Sequence, residues 1–303
     1  MKPKAIDLFA GPGGLSLGLT ASGFDIIGAI EIDKDAGRTY RHNLGDHTIV
    51  NDITKFSPAK FREHLMEKKF LKQGENLSLI AGGPPCPGFS LIGRSKISDL
   101  IKKGEYGDSK EFRHRFIDDP RNQLFREFVK YVDEFQPKYF IMENVSGMTS
   151  YQIDEDPIVD VISNSFFGYN VKWEILNASE YGVPQHRKRI IFLGQRLDCS
   201  EIFFPDPSHI NNNQQIDTID AIMDLSQVQT TIDGKVKVRE TQKSGKGYLY
   251  RKKMRQWEVD SRVSNNGKKT GHFTRKVNQR DQVIFPLIKS GTPSGKKGNI
   301  LLP

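Results

Sequence analysis

Asp7-Leu8-Phe9-Ala10-Gly11-Pro12-Gly13-Gly14 decides how the rest of the chain is read. It joins a short apolar run, Ala5 to Phe9, to a segment with helical spacing from about Leu15 to Ser22. Strand, glycine loop and helix in that order open an α/β fold, and the glycines let the backbone come close to a ligand at the strand's end. A glycine loop alone is a weak signal, because many nucleotide sites contain one. Its neighbours narrow the ligand. A dinucleotide fingerprint would place glycine at position 16, where Ser16 stands, and Pro12 removes an amide that could hold a pyrophosphate. The loop therefore suits a cofactor without phosphates.

The alternation continues for about two hundred residues. Phe24 to Ile30 reads as a second strand ending at Glu31, and Lys34 to Asn43 as a helix. Thr48 to Val50 reads as a third strand running into Asn51-Asp52, and about Ala59 to Phe70 as a charged helix. Leu77 to Ala81 reads as a fourth strand, followed by Gly82-Gly83-Pro84-Pro85-Cys86. After it come an amphipathic helix from Arg121 to Phe135 and a fifth strand, Tyr139 to Met142, ending at Glu143-Asn144. A helix around Ile158 to Phe166 and strands Val171 to Leu176 and Arg189 to Leu193 complete the series. This pattern predicts a doubly wound α/β sheet. Its polar residues gather at the strand ends, the carboxyl edge where such sheets bind ligands. Glu31 lies 20 residues after Gly11, where a carboxylate can hold both hydroxyls of a ribose. Asp52 stands where it can accept from an adenine amino group. Each acid alone is an ordinary loop residue, but three strand ends in this order indicate a nucleoside-type cofactor.

Composition bounds the rest. At 303 residues and 36% hydrophobic the chain can bury a full core. No apolar run approaches the ~18 residues of a membrane helix, and Met1-Lys2-Pro3-Lys4 leads straight into a strand without a signal peptide. A cytoplasmic protein is expected, with both cysteines, Cys86 and Cys199, free. Cys199 reads as a buried structural residue. The net charge of +8 is uneven: residues 235–303 hold 18 Lys/Arg against 4 Asp/Glu. A basic segment beside a mildly acidic body suggests a polyanionic partner, nucleic acid first, although a solvated lysine-rich tail would look the same. The expected division is a catalytic domain over 1–205 and a basic segment over 206–303. The latter begins a recognition region.

Gly83-Pro84-Pro85-Cys86-Pro87-Gly88-Phe89-Ser90 is the sharpest chemical feature. Cys86 sits beyond a strand, between prolines that fix the backbone, which presents a thiol rather than burying it. A nucleophile needs help to form a thiolate or to have its target activated. Met142-Glu143-Asn144-Val145 brings a carboxylate to the end of the neighbouring strand, and Gln185-His186-Arg187-Lys188-Arg189 brings cations to the start of another. With these residues in place, the chain resembles the cytosine-C5 DNA methyltransferase family. Six motifs occur in family order over about residues 4–195. They are Asp7-Leu8-Phe9-Ala10-Gly11, the acids Glu31 and Asp52, and Pro85-Cys86. Asp119-Pro120-Arg121-Asn122-Gln123-Leu124-Phe125, Glu143-Asn144-Val145 and Gln185-x-Arg187-x-Arg189 complete them.

The resemblance implies a mixed sheet of the S-adenosylmethionine-dependent methyltransferase type and S-adenosyl-L-methionine as cofactor. It implies cofactor contacts at Phe9, Ala10, Gly11, Gly13, Gly14, Leu15, Glu31, Ile32, Asp52, Ile53, Pro84 and Leu124, and no metal. Cys86 would be the nucleophile toward C6 of a cytosine flipped out of double-stranded DNA. Glu143 would contact N3 and the exocyclic amine, sharing a proton in a dry pocket. Arg189 would bind O2, and Arg187 would support the nucleophile's surroundings or contact DNA. The polar stretch Ile92 to Asp118 has no clear period. With the residues after Cys86 it is a candidate loop to close over the base, offering Arg94, Lys96, Lys102, Lys103, Arg113 and Arg115 to phosphates.

Two departures stand out. Pro87 occupies the place where the family usually has glutamine. The late arginine-glutamate and Gly-Asn motifs are not found, although His272 to Asp281 resembles the segment before the recognition region. A split enzyme, a truncated chain and a natural fragment remain open. The working expectation is a second polypeptide that supplies recognition and the last helix. RNA methylation by the same chemistry is a rival reading, but neither cysteine is followed by the Phe-Thr of the tRNA-acting relatives. A non-catalytic DNA-binding homologue is another, though Cys86, Glu143 and Arg189 are all present.

Overall fold

The computed structural model describes residues 2–85, 124–153, 156–211 and 215–216, with the backbone of 229–230 and 236–237. The chain begins with strand β1 (Lys4–Leu8), helix α1 (Gly14–Ala21), strand β2 (Asp25–Glu31) and helix α2 (Lys34–Leu44). Strand β3 (Thr48–Val50), helix α3 (Pro58–Glu67) and strand β4 (Leu79–Gly82) follow. Beyond Leu124 come helix α4 (Phe125–Phe135) and strand β5 (Tyr139–Val145). A small hairpin of β6 (Gln152–Ile153) and β7 (Asp156–Pro157) precedes helix α5 (Ile158–Asn164). Strands β8 (Tyr169–Asn177) and β9 (Lys188–Arg196) then complete the sheet. Farther along, β10 (Gln229–Thr230) and β11 (Val236–Lys237) form a short antiparallel pair.

The expected α/β architecture is present. Seven strands run in the order β3-β2-β1-β4-β5-β9-β8; β3, β2, β1, β4 and β5 are parallel, and β9 is antiparallel to both its neighbours. From β1 the chain winds one way to β2 and β3, then returns to the other side of β1 for β4 and β5. The carboxyl ends of β1 and β4 therefore flank the crevice where a doubly wound sheet takes its ligand.

Side-chain periodicity explains the layers. In α4, Phe125, Phe128, Tyr131, Val132 and Phe135 are buried at helical spacing, and Phe128 packs edge-on against Phe140 of β5 with 5.9 Å between ring centroids. Ile6 and Leu8 of β1 join that aromatic core, with Phe61 of α3, whereas Ala5 faces the opposite layer beside Leu19 of α1. The helix starts are capped as their sequences require. Asp33 accepts from the amides of Asp35 and Ala36 at 2.9 and 2.8 Å, and Ser57 caps α3 ahead of Pro58.

Several boundaries differ from the sequence reading. Helix α3 ends at Glu67 rather than near Phe70, because Lys69 turns into the left-handed region at φ 60. Strand β9 continues past Leu193 through Gly194-Gln195-Arg196. Polar Gln195 can be buried there because its amide donates to the Cys199 carbonyl (2.8 Å) and its oxygen accepts from Ile202 N (3.2 Å). Strand β5 likewise runs past Met142 to Val145, so Glu143 lies inside it rather than beyond its end, while Arg189 lies in β9 as expected. Cys199 is half-buried in the turn after β9, not in the core. Among the described residues no helix is long and apolar enough to cross a membrane.

Candidate active site

The glycine loop leaves β1 through residues in unusual backbone states. Phe9 (φ 58), Gly11 (φ 56) and Gly13 (φ 97) all occupy the left-handed region. For Phe9 this conformation is strained, a condition that surrounding contacts must hold in place. Two contacts do so: Ala10 N donates to the Ile30 carbonyl at 3.0 Å, and Gly11 N donates to Glu31 Oε2 at 2.6 Å. The other Glu31 oxygen accepts from Asp33 N at 2.8 Å. Glu31 thus ties the first loop to the second while each oxygen keeps acceptor capacity for a further donor. Gly13 has a separate reason to be glycine. A Cβ there would collide with Leu44 and Tyr40, whereas one on Gly11 or Gly14 would meet nothing.

These loops enclose a cleft of about 250 Å³ at the carboxyl edge. Phe9, Glu31, Ile32, Asp52, Ile53 and Leu124, all expected as cofactor contacts, line it. Ala10, Gly11, Gly13 and Gly14 frame the loop behind this wall. Leu15 points into the small cluster of Ala5 and Leu19. Asp52 is fixed at the rim, where its Oδ1 accepts from Thr54 N (3.0 Å) and from the Thr54 hydroxyl (2.8 Å). The Thr54 hydrogen bond holds its carboxyl below the usual range. An ionised acceptor, an acid with spare lone pairs and apolar side chains suit a nucleoside: ring, ribose hydroxyls and amino group each find a counterpart.

Gly83 and Pro85 form the far wall of the cleft. Behind Gly83 stands Glu143, whose Oε2 lies 3.3 Å from where a Cβ on residue 83 would fall. A side chain at this position would press on the carboxylate. Glu143 Oε1 is 2.9 Å from Arg189 Nε and 3.7 Å from a terminal nitrogen of Arg187. The antiparallel register explains the meeting. Val145 pairs with Arg189 and Glu143 with Ile191, so Glu143 and Arg189 are diagonal neighbours on one face. Glu143 keeps 32% of its side chain exposed, so the described residues do not enclose it in a dry pocket. Cys86 lies outside the described residues, as do the stretch 87–123 and its candidate phosphate contacts.

Three residues of the site had no assigned role in the sequence reading. Gly83 is one. Asn144, 3% exposed, donates from Nδ2 to the Pro84 carbonyl at 3.1 Å. Asp7, 1% exposed, accepts from the Ser16 hydroxyl at 2.6 Å beneath the glycine loop. Its signal was visible: an acid inside the apolar run Ala5-Ile6-Asp7-Leu8-Phe9 must find a partner if the strand is central.

Comparisons with known proteins agree with this arrangement. The model of the C-5 cytosine-specific DNA methylase family matches residues 3–299, beyond the 4–195 over which motifs were read. The type II methyltransferase M1.HphI of Haemophilus parahaemolyticus is 38% identical over 215 residues, covering 71% of this chain and 51% of that protein. M.DdeI of Desulfomicrobium norvegicum is 35% identical over 237 residues, 76% of this chain and 50% of that one. M.AquIA of Picosynechococcus is 34% identical over 228 residues, 72% of this chain and 82% of that protein. A crystal structure of a candidate DNA modification methyltransferase from an E. coli prophage superposes with a TM-score of 0.53 at 31% identity, over 74% of this chain and 55% of its own. The chain thus spans about half the length of M1.HphI and M.DdeI. With its sheet order, its cleft at the carboxyl edge and its Glu–Arg pair beside Gly83-Pro84-Pro85, the chain belongs to the C-5 cytosine-specific DNA methylase family.

Proposed function

We propose that this chain transfers a methyl group from S-adenosyl-L-methionine to C5 of cytosine in double-stranded DNA, through a covalent adduct of Cys86. Gly83 carries this reading. It lines the nucleoside cleft on one side and backs onto the Glu143 carboxylate on the other. Donor and acceptor would therefore meet across the backbone that leads into Cys86.

When bound, the cofactor supplies an electrophilic methyl; the chain's own residues do the rest. Phe9, Ile32 and Ile53 pack the adenosine, Glu31 receives the ribose hydroxyls and Asp52 the adenine amine. The Cys86 thiolate adds to C6 of an extruded cytosine, forming the S–C6 bond and driving an electron pair toward C5. Glu143 holds the proton at N3 as charge builds on the ring, and Arg189 fixes O2. Arg187 flanks the same carboxylate. Once C5 is methylated, loss of its proton to a base expels the thiolate. Target recognition and the late motifs would come from polypeptide outside residues 1–303, a second subunit being the expected source. A place in restriction-modification or phage defence, in the cytoplasm of a prokaryotic or viral host, fits this chemistry.

The test is transfer of labelled methyl to mixed-sequence duplex DNA by wild type and by Cys86→Ala. Transfer by wild type alone is expected. If the neighbouring reading frame is needed, activity appears only when its product is added. Equal transfer by Cys86→Ala would rule out the covalent mechanism.

A further inference from the structure

Strand β4 is paired to β5 only as far as Gly82, which stands opposite Met142. Beyond Gly83, Pro84 and Pro85 cannot continue that ladder, because a proline has no N–H to donate. At these two residues only the carbonyls remain as handles. The Pro84 carbonyl is taken by a side chain: Asn144, two residues beyond the last paired position of β5, donates to it from Nδ2 at 3.1 Å. The same side chain accepts from Val145 N through Oδ1 at 2.8 Å. The two bonds fix the amide's orientation, since rotating it by half a turn would set oxygen against the Pro84 carbonyl oxygen and an NH₂ against the Val145 N–H. Asn144 is 3% exposed and points to the face of β5 opposite Glu143, so it does not share the carboxylate's pocket.

We infer that Asn144 is a positioning residue for the nucleophile: its side-chain amide replaces the missing backbone rung, and so fixes the segment Pro84-Pro85 from which Cys86 follows. Its role is to hold backbone, through the Pro84 carbonyl and the Val145 amide. Its effect reaches Cys86 through two peptide units of low freedom, because each proline locks its own φ. Strand β5 thereby serves two ends at once, with Glu143 facing the base and Asn144 holding the chain that carries the thiol. This inference rests on the proposed reading of Cys86 as the nucleophile.

Asn144→Asp and Asn144→Ala separate positioning from simple folding. An ionised aspartate keeps the bond to Val145 N but sets a negative oxygen against the Pro84 carbonyl. A protonated aspartic acid can donate to that carbonyl as the amide does. The rate of Asn144→Asp relative to wild type should therefore be at least tenfold down at pH 8 and should recover several-fold as the pH falls toward 6. The Asn144→Ala ratio should stay low and flat. Cys86 alkylation, read by peptide mass spectrometry with Cys199 as internal control, gives a second measure that needs neither DNA nor a partner. The Asn144→Asp variant should differ from wild type at least threefold at Cys86 at pH 8, and the difference should shrink at lower pH. If wild type transfers methyl and both variants match it, or if both variants give the same flat ratio, the positioning role is overturned while the proposed function stands. If wild type transfers no methyl, even with the neighbouring product, the proposed function fails. The alkylation ratio then decides the inference alone, equal rates at Cys86 overturning it.

Discussion

Replacing Asp7 by asparagine should remove a large part of the chain's pH-dependent stability. Asp7 stands in the central strand β1, 1% exposed, with Oδ2 held by the Ser16 hydroxyl at 2.6 Å and Oδ1 without a partner among the described residues. Burial pushes its carboxyl from an ordinary 3.8 up to about 7; the Ser16 hydrogen bonds oppose this, and the nearby charge of Glu31 adds to it. The folded state therefore holds a proton that the unfolded chain releases near pH 4. Between those values folding is coupled to proton uptake, so stability is greatest at low pH and falls as the pH rises, with the full penalty in place above about 7. A shift of about three units corresponds to roughly 4 kcal/mol at ~1.4 kcal/mol per unit, an upper figure. If relaxation halves it, about 2 kcal/mol remains, or roughly 4–8 °C in Tm for a domain of this size. The isosteric amide has no charge to bury and still accepts from Ser16. Thermal unfolding of wild type and Asp7→Asn at pH 5, 6.5 and 8 is the assay. The variant's lead over wild type should be smallest at pH 5, where only part of the penalty is in place, and should grow to several degrees at pH 8. Parallel curves, or a variant less stable at pH 8, would refute the reasoning and place a compensating partner at Oδ1.

Three further outcomes follow from the geometry. Gly194→Ala would drive a methyl into the fully buried ring of Phe140, so thermal unfolding should register a loss of about 1–3 kcal/mol. Arg189→Lys keeps the charge beside Glu143 but loses the guanidinium fork. Single-turnover methyl transfer should fall roughly tenfold to a hundredfold, with cofactor binding unchanged, as expected for a charge-assisted bond worth ~1.5–3 kcal/mol. Phe9→Ala removes one wall of the cleft, and calorimetric titration with S-adenosylmethionine should show affinity weakened about threefold to tenfold, the loss of ~0.5–1.5 kcal/mol of aromatic contact; an unchanged Kd would move the adenosine elsewhere.

Much of this protein was legible from local chemistry. The order of strands and helices follows from hydrophobic period and glycine placement, which act over a few residues. Gly11 and Gly13 announce left-handed backbone, and Pro84-Pro85 announce a strand that must stop pairing. Glu31 and Asp52 belong at the cleft because strand ends in a doubly wound sheet converge on one edge, whereas Leu124, at a helix start, was indicated only by the family resemblance. Boundaries were less legible where long-range pairing sets them: β9 runs on through Gln195 only because Cys199 and Ile202 satisfy a buried amide.

What only the tertiary structure decided lies in contacts between residues far apart along the chain. Glu143 meets Arg189 because β9 runs antiparallel to β5 in one register. A shift of a single residue would send one of them to the opposite face. Asn144 grips Pro84, 60 positions away, because β4 and β5 are neighbours although the chain between them is long. Asp7 is perturbed because β1 is central to the sheet, which its five-residue apolar run does not reveal. The sequence alone determined which groups are present and which element bears each, since backbone preferences are local. Their distances, burial and partners depend on strand register and the packing of layers, which the whole fold sets together.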